Sequence, residues 1–187
     1  MTPRRILIGG SVRSGKSAFA ISLARRVGER RVCIATARPV DDEMCARIAR
    51  HREDRGADFH TIEEPLAVPA TLRQVIDADV VVVDCLTVWI ANLLLRGDSE
   101  ATILGEVEDL AGALAQATFH SVLVSNEVGM GVHPETVLGR RFRDSVGRAH
   151  QRLARDADEL YFAALGVMLR LRPGPLEACA VADACRG

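Results

Sequence analysis

The feature that most constrains this chain is the octet Gly10-Ser-Val-Arg-Ser-Gly-Lys-Ser17, which follows the β-forming run Ile6-Leu7-Ile8 and precedes an alanine-rich helical pattern. The spacing is G-x-x-x-x-G-K-S, a phosphate-binding loop, and strand, loop and helix fall in the order that such a loop requires. Glycines at the two ends let the backbone turn sharply and approach a ligand. The N–H groups of the turn, with the positive end of the helix behind them, form a cradle for an anion. In this arrangement Lys16 reaches the β- and γ-phosphates and the Ser17 hydroxyl is placed for Mg²⁺. A nucleoside triphosphate, GTP or ATP, is therefore the expected ligand.

Hydrophobic periodicity carries the fold onward. Ala20, Leu23, Ala24 and Val27 form a helical stripe that Gly28 closes. Short apolar strands are expected at 31–36, 59–63, 79–84 and 121–125, with helices at 42–55, 65–77, 87–96, 100–117 and onward from Pro134. Asp79-Val-Val-Val-Val-Asp84 is valine throughout rather than alternating, which predicts a strand covered on both faces, as in a parallel sheet. On the helix after Pro134, Leu138, Phe142, Val146, Ala149 and Leu153 make one apolar stripe. Two last strands around Gly166 predict a hairpin at a sheet edge. Strands alternating with helices define an α/β domain with a mostly parallel sheet flanked by helices. One domain is expected over 1–172, followed by a tail, 173–187, that is poorly ordered or loosely packed.

The chemistry should gather where the strands end. Those ends carry Gly10–Ser17, Thr36–Arg38, Asp84 and Asn126–Glu127. Asp84 is either an acid for Mg²⁺ or a strand cap, and Glu127 either orients a substrate hydroxyl or binds loop N–H groups. His51 falls on the face of its helix with Met44, Ile48 and Arg55, and Arg47, Arg52 and Arg55 crowd around it. Two readings remain: a packed histidine, or a nucleophile for phosphorus with cations beside it to stabilise developing charge. His60, His120, His133 and His150 lack such company and read as structural. The six arginines between Arg140 and Arg155 read mainly as a solvated helix face.

Composition narrows the partners. The net charge of −1 and 4% aromatic residues leave neither a basic stripe nor a stacking platform for nucleic acid. The N-K-x-D guanine signature is absent, which disfavours a regulatory GTP switch. Cysteines at 33, 45, 85, 179 and 185 form no C-x-x-C pair, and scattered thiols suit a reducing compartment. No apolar run is long enough to span a membrane, and a strand directly at the N-terminus argues against a signal peptide. A cytoplasmic location is the expectation.

Assembled, these residues resemble the bifunctional adenosylcobinamide kinase/adenosylcobinamide-phosphate guanylyltransferase family of cobalamin biosynthesis. The resemblance runs to about Arg172. Besides the loop it rests on Ile34-Ala-Thr36, Asp41-Asp-Glu-Met44 with Ala46-Arg-Ile48 and His51, Asp84-Cys-Leu-Thr87 and Asn92-Leu-Leu94. It continues through Asn126-Glu-Val-Gly-Met-Gly131, Pro134-Glu135, Arg141-Phe-Arg-Asp144, Gly147-Arg148, Gln151-Arg-Leu-Ala154 and Ala157-Asp-Glu159. The resemblance implies a P-loop, RecA-like domain assembled as a homotrimer. It also implies two reactions: phosphorylation of adenosylcobinamide by a nucleoside triphosphate, then transfer of GMP from GTP through a guanylylated histidine to the corrinoid phosphate. By the same resemblance His51 is that histidine, and Thr36, Ala37, Arg38, Arg52, Glu53, Asp54, Arg55, Glu63 and Asp84 contact GTP. Lys16 and Glu127 complete the catalytic set, and Ser17 and Asp84 the metal ligands. The chain departs from the family at Ser11-Val12, where Gly-Ala is usual, at Asp84, where Glu is frequent, and at Arg50, where some members carry a second histidine. The competing enzyme reading is a small-molecule kinase in which His51 is structural.

Overall fold

The structure, a computed structural model, describes residues 2–179. Eight strands form one sheet in the order β3-β2-β4-β5-β1-β6-β7-β8. They are β1 (Arg5–Gly10), β2 (Arg31–Ala35), β3 (Phe59–Glu63), β4 (Val80–Asp84), β5 (His120–Val124), β6 (Glu159–Ala164), β7 (Val167–Arg172) and β8 (Glu177–Cys179). From β3 to β6 every pairing is parallel, and β7 and β8 run antiparallel. Six helices accompany them: α1 (Lys16–Val27), α2 (Asp42–Arg55), α3 (Val68–Gln74), α4 (Leu86–Arg96), α5 (Glu100–Gln116) and α6 (Val137–Asp156).

The valine run of β4 shows why both faces must be apolar. Val80 and Val82 join Ile6, Ile8, Phe19 and Val122 in the core on the α1 side. Val81 and Val83 join Leu7, Trp89, Leu110 and Val146 in the core beneath α3–α6. Successive strand residues point to opposite faces, so a strand covered twice cannot alternate. Trp89 fills the second core with no exposed surface, and its indole N–H donates to the Leu66 carbonyl at 2.8 Å. On the first face α2 lies beside α1, where Arg25 donates to the carbonyls of Asp54 and Arg55. Asp41 caps α2 by accepting from the Met44 N–H at 2.7 Å, and Gly56 closes it at φ 67°. Arg55 is the one buried residue of this fourteen-residue helix, so α2 is held mainly at its C-terminal end.

Three expectations need correction. The helix expected over 65–77 is only α3, Val68–Gln74, with Pro69 in its first turn. Glu64 shortens it by accepting the N–H groups of Leu66 and Ala67, which fixes that stretch as a turn. The hairpin β6–β7 is not the sheet edge, because part of the expected tail returns as β8 and pairs with β7; the tail beyond residue 179 lies outside the described residues. The arginines of α6 are also more than a solvated face. Arg140 donates to the carbonyls of Pro134 and Glu135, Arg141 to that of Asp98, and Arg148 and Arg152 pair with Glu100 and Glu108 of α5.

Candidate active site

Strand order decides which groups meet. β5 lies between β1, which feeds the phosphate loop, and β4, which ends in Asp84. The loop, Asp84 and Asn126–Glu127 therefore share one edge of the sheet, as the sequence reading expects.

The loop is shaped by residues that a side chain would disturb. Gly10 has φ 139°, and a Cβ there would stand 2.5 Å from the Ala163 carbonyl oxygen of β6. Gly15, the residue before α1, is left-handed at φ 87°, and Arg13 at φ 56° turns the crest. Lys16 is only 5% exposed and folds back, its Nζ donating to the Ser11 carbonyl at 2.6 Å and to Ser14 Oγ at 3.2 Å. Burial pushes its pKa down, and the negative charge of Asp84 opposes that shift. The ammonium is thus poised beneath the turn, beside Asp84, with contacts that a phosphate oxygen can replace.

A pocket opens next to the loop between α2 and the ends of β2, β3 and β4. Ala37, Met44, Arg47, Ile48, His51, Arg55, Glu63, Asp84, Cys85 and Val88 are among its walls. His51 faces inward with Nδ1 3.8 Å from Asp84 Oδ2. That nitrogen is buried and has no hydrogen-bond partner. Arg55 is 4% exposed, its Nε has no partner, and no carboxylate stands within ion-pair distance of it among the described residues. An arginine buried without a counter-charge is costly, and a bound anion removes that cost.

The remaining expected residues distribute unevenly. Thr36 is fully buried under the pocket, its hydroxyl donating to the Cys85 carbonyl at 2.8 Å and accepting the Cys85 N–H at 2.9 Å. Asn92 donates to the Thr36 and Pro65 carbonyls, so α4 locks the end of β2. Ala37 reaches the pocket wall, whereas Arg38, Glu53 and Asp54 are exposed and line no part of it. Arg52 and Glu63 pair with each other, Glu63 at the pocket wall and Arg52 outside it. The Asp84–Cys85 peptide is cis.

Glu127 stands on the other side of the loop. Its N–H donates to the Gly10 carbonyl at 2.8 Å and its Oε1 accepts from the Gly129 N–H at 2.6 Å. Its Oε2 is 3.6 Å from Nδ1 of His150, whose Nε2 lies 2.7 Å from Ser125 Oγ. The sequence reading left His150 among the structural histidines. Its place four residues after Val146 and three before Leu153 was the available signal, because that spacing turns it towards the sheet with them.

This arrangement, a phosphate loop and an acid strand separated by one inserted strand at the carboxyl edge of a parallel sheet, defines a P-loop nucleotide-binding domain of RecA-like form. Solved structures share that form: an ATPase domain (TM-score 0.52, 14% identity, covering 94% of this chain and 79% of that one) and the RadB recombinase (TM-score 0.52, 15% identity, 95% and 87%). Residues 6–171 match the family described as cobinamide kinase / cobinamide phosphate guanyltransferase, and the chain belongs to that family. Proteins named bifunctional adenosylcobalamin biosynthesis protein include one from Pseudomonas aeruginosa, 44% identical over 173 residues that cover 92% of this chain and 99% of the relative. Those from Salmonella typhimurium and Escherichia coli are 37% and 36% identical, each over 89% of this chain and 99% of the relative.

Proposed function

We propose that this chain phosphorylates adenosylcobinamide with a nucleoside triphosphate and then transfers GMP from GTP to the product, using His51 as the covalent carrier. The observation that carries the second step is the placement of His51 in an arginine-flanked pocket with Asp84 at its Nδ1. A carboxylate facing Nδ1 favours the tautomer with the proton on that nitrogen, which leaves the Nε2 lone pair free to attack. The bond from Nε2 to the α-phosphorus forms as the bond to the β-phosphate oxygen breaks, and pyrophosphate leaves. The ring then carries a positive charge, which Asp84 faces. Arg47 and Arg55 stand in the pocket to meet the phosphate oxygens, and Ala37 and Glu63 would bound the nucleotide. Thr36 acts from below by holding the strand ends, with Arg38, Arg52, Glu53 and Asp54 at the exposed margin.

For the first step the loop holds the triphosphate, Lys16 exchanges its loop contacts for phosphate oxygens, and Glu127 orients the acceptor hydroxyl. Mg²⁺ bound with the nucleotide would neutralise its phosphate oxygens. Ser17 and Asp84 fit it, since both offer oxygen and no arginine or lysine stands within ion-pair distance of Asp84 among the described residues. Mg²⁺ bound through phosphates and waters needs only one or two protein ligands. That suits a chain whose described residues contain no cluster of three or more His, Cys, Asp or Glu able to hold a metal. The free thiols Cys33, Cys45 and Cys85 support a cytoplasmic setting, and the family resemblance supports a homotrimer. Sedimentation at micromolar protein tests the trimer.

The deciding experiment incubates the protein with α-labelled GTP. An acid-labile, alkali-stable label on the protein, abolished by His51→Ala while phosphorylation of cobinamide persists, is the expected result. Phosphorylation without any adduct would instead select the single-activity kinase.

A further inference from the structure

His150 is hydrogen-bonded at one ring nitrogen and faces a carboxylate with the other. Nε2 meets the hydroxyl of fully buried Ser125 at 2.7 Å, and Nδ1 faces Glu127 Oε2 at 3.6 Å. Burial lowers its pKa, and Glu127 is the charged group whose field opposes that shift, so the ring is neutral near pH 7. The tautomer that satisfies both neighbours carries the proton on Nδ1, facing the carboxylate, while Nε2 accepts from Ser125. Nε2 is taken by Ser125 and Nδ1 is turned to Glu127, so the group His150 can act on is that carboxylate. Glu127 in turn is pinned to the phosphate loop by its N–H to Gly10 and to its own turn by Gly129. The carboxylate is thereby held by one hydrogen bond, from the Gly129 N–H to Oε1, while Oε2 faces His150.

We infer that His150 is a positioning residue of the phosphoryl-transfer step, holding the Glu127 carboxylate towards the acceptor hydroxyl, with Ser125 holding His150. The inference rests on the kinase reading given above. In that step the acceptor oxygen bonds to the γ-phosphorus and the bond to the nucleoside diphosphate breaks. The hydroxyl proton passes to Glu127 and from there to water. The Nδ1–H facing Oε2 at 3.6 Å sets the direction of the carboxylate that accepts the proton.

The test compares His150→Ala, His150→Asn and the wild type in phosphorylation of cobinamide, with GMP-adduct formation measured on the same preparations. An asparagine amide nitrogen falls near the place of Nδ1 and can still donate to Glu127; alanine cannot. His150→Ala should lower kcat by about 10- to 100-fold and leave KM for both substrates within about twofold. His150→Asn should recover most of that rate, and adduct formation on His51 should be unchanged in both. Equal losses in the alanine and asparagine variants, a parallel loss of adduct formation, or a loss carried by KM rather than kcat would each overturn the positioning role. A wild-type protein that makes the adduct but no phosphorylated cobinamide would instead sink the kinase reading itself.

Discussion

Asp84→Asn isolates the charge that His51 faces. The amide keeps the size of the carboxylate and no hydrogen bond to Nδ1 is there to be lost, so what disappears at His51 is the negative charge 3.8 Å away. When Nε2 bonds to phosphorus the ring becomes cationic, and two unit charges at that distance attract by about 4 kcal/mol at an effective dielectric constant of about 20. Neither side chain is more than a third exposed, so solvent screening leaves most of this in place. If half the charge has developed at the transition state, the loss is about 2 kcal/mol, or about 30-fold in rate; full development gives about 1000-fold. Single-turnover labelling with α-labelled GTP, quenched at intervals and run at saturating GTP and magnesium, reads the step directly. Adduct formation within threefold of wild type would refute an electrostatic role for Asp84 at His51.

Gly10→Ala should remove triphosphate binding and destabilise the fold by about 2–6 kcal/mol, from a Cβ 2.5 Å from the Ala163 oxygen and a left-handed φ; thermal melting with and without nucleotide measures both. Thr36→Val leaves the Cys85 N–H and carbonyl without the hydroxyl they share, costing about 1–3 kcal/mol per buried group in urea unfolding. Amide exchange along α2 should be faster than along α6, because Arg55 alone anchors the buried side of α2. Arg30 and the N–H groups of Glu29 and Arg30 hold Asp79 well below the usual carboxylate range. A depressed folded-state pKa stabilises above the unfolded value, near 3.8, and that stabilisation is lost as pH falls below it. The stability gap between wild type and Asp79→Asn should therefore be full at pH 6 and shrink below pH 4 in parallel melts.

What could be read from the sequence was whatever repeats with a period or follows from a fixed spacing. The loop, the valine strand and the apolar stripe of α6 each announce themselves within twenty residues; the first two appear where expected, and the stripe is buried from Val146 on while Leu138 at its start is exposed. The ends of elements did not, because Glu64 and its two N–H partners settle the start of α3 by a side-chain contact with no period. The return of the tail as β8 depends on pairing with β7, which no local pattern encodes. Within the site, His51 was legible because arginines cluster around it on its own helix. His150 was not, because its partners Ser125 and Glu127 are 25 and 23 residues away and meet it only once β5 is inserted beside β1.

The two histidine–carboxylate pairs at this sheet edge differ in ways that suit opposite duties. His51 rides on a helix with a single buried residue, its Nδ1 facing Asp84 at a distance too long for a hydrogen bond. The proposed carrier of GMP needs a nitrogen without other partners and a support with little buried surface, and α2 fits both needs. His150 sits among Val146, Ala149 and Leu153 on a helix packed into the larger core, with Nε2 hydrogen-bonded to Ser125 and Nδ1 turned to Glu127. Such a ring can neither bond to phosphorus nor swing, but it can keep a neighbouring carboxylate aimed. Since β5 lies between β4 and β1, Asp84 and Glu127 stand one strand apart, and the phosphate loop follows on the next strand. On the proposed reading, one triphosphate cradle has its nucleophile on a sparsely buried helix on the α1 side of the sheet and its carboxylate backed from the α6 side. Under that proposal two transfers with different reacting phosphorus atoms use a single fold.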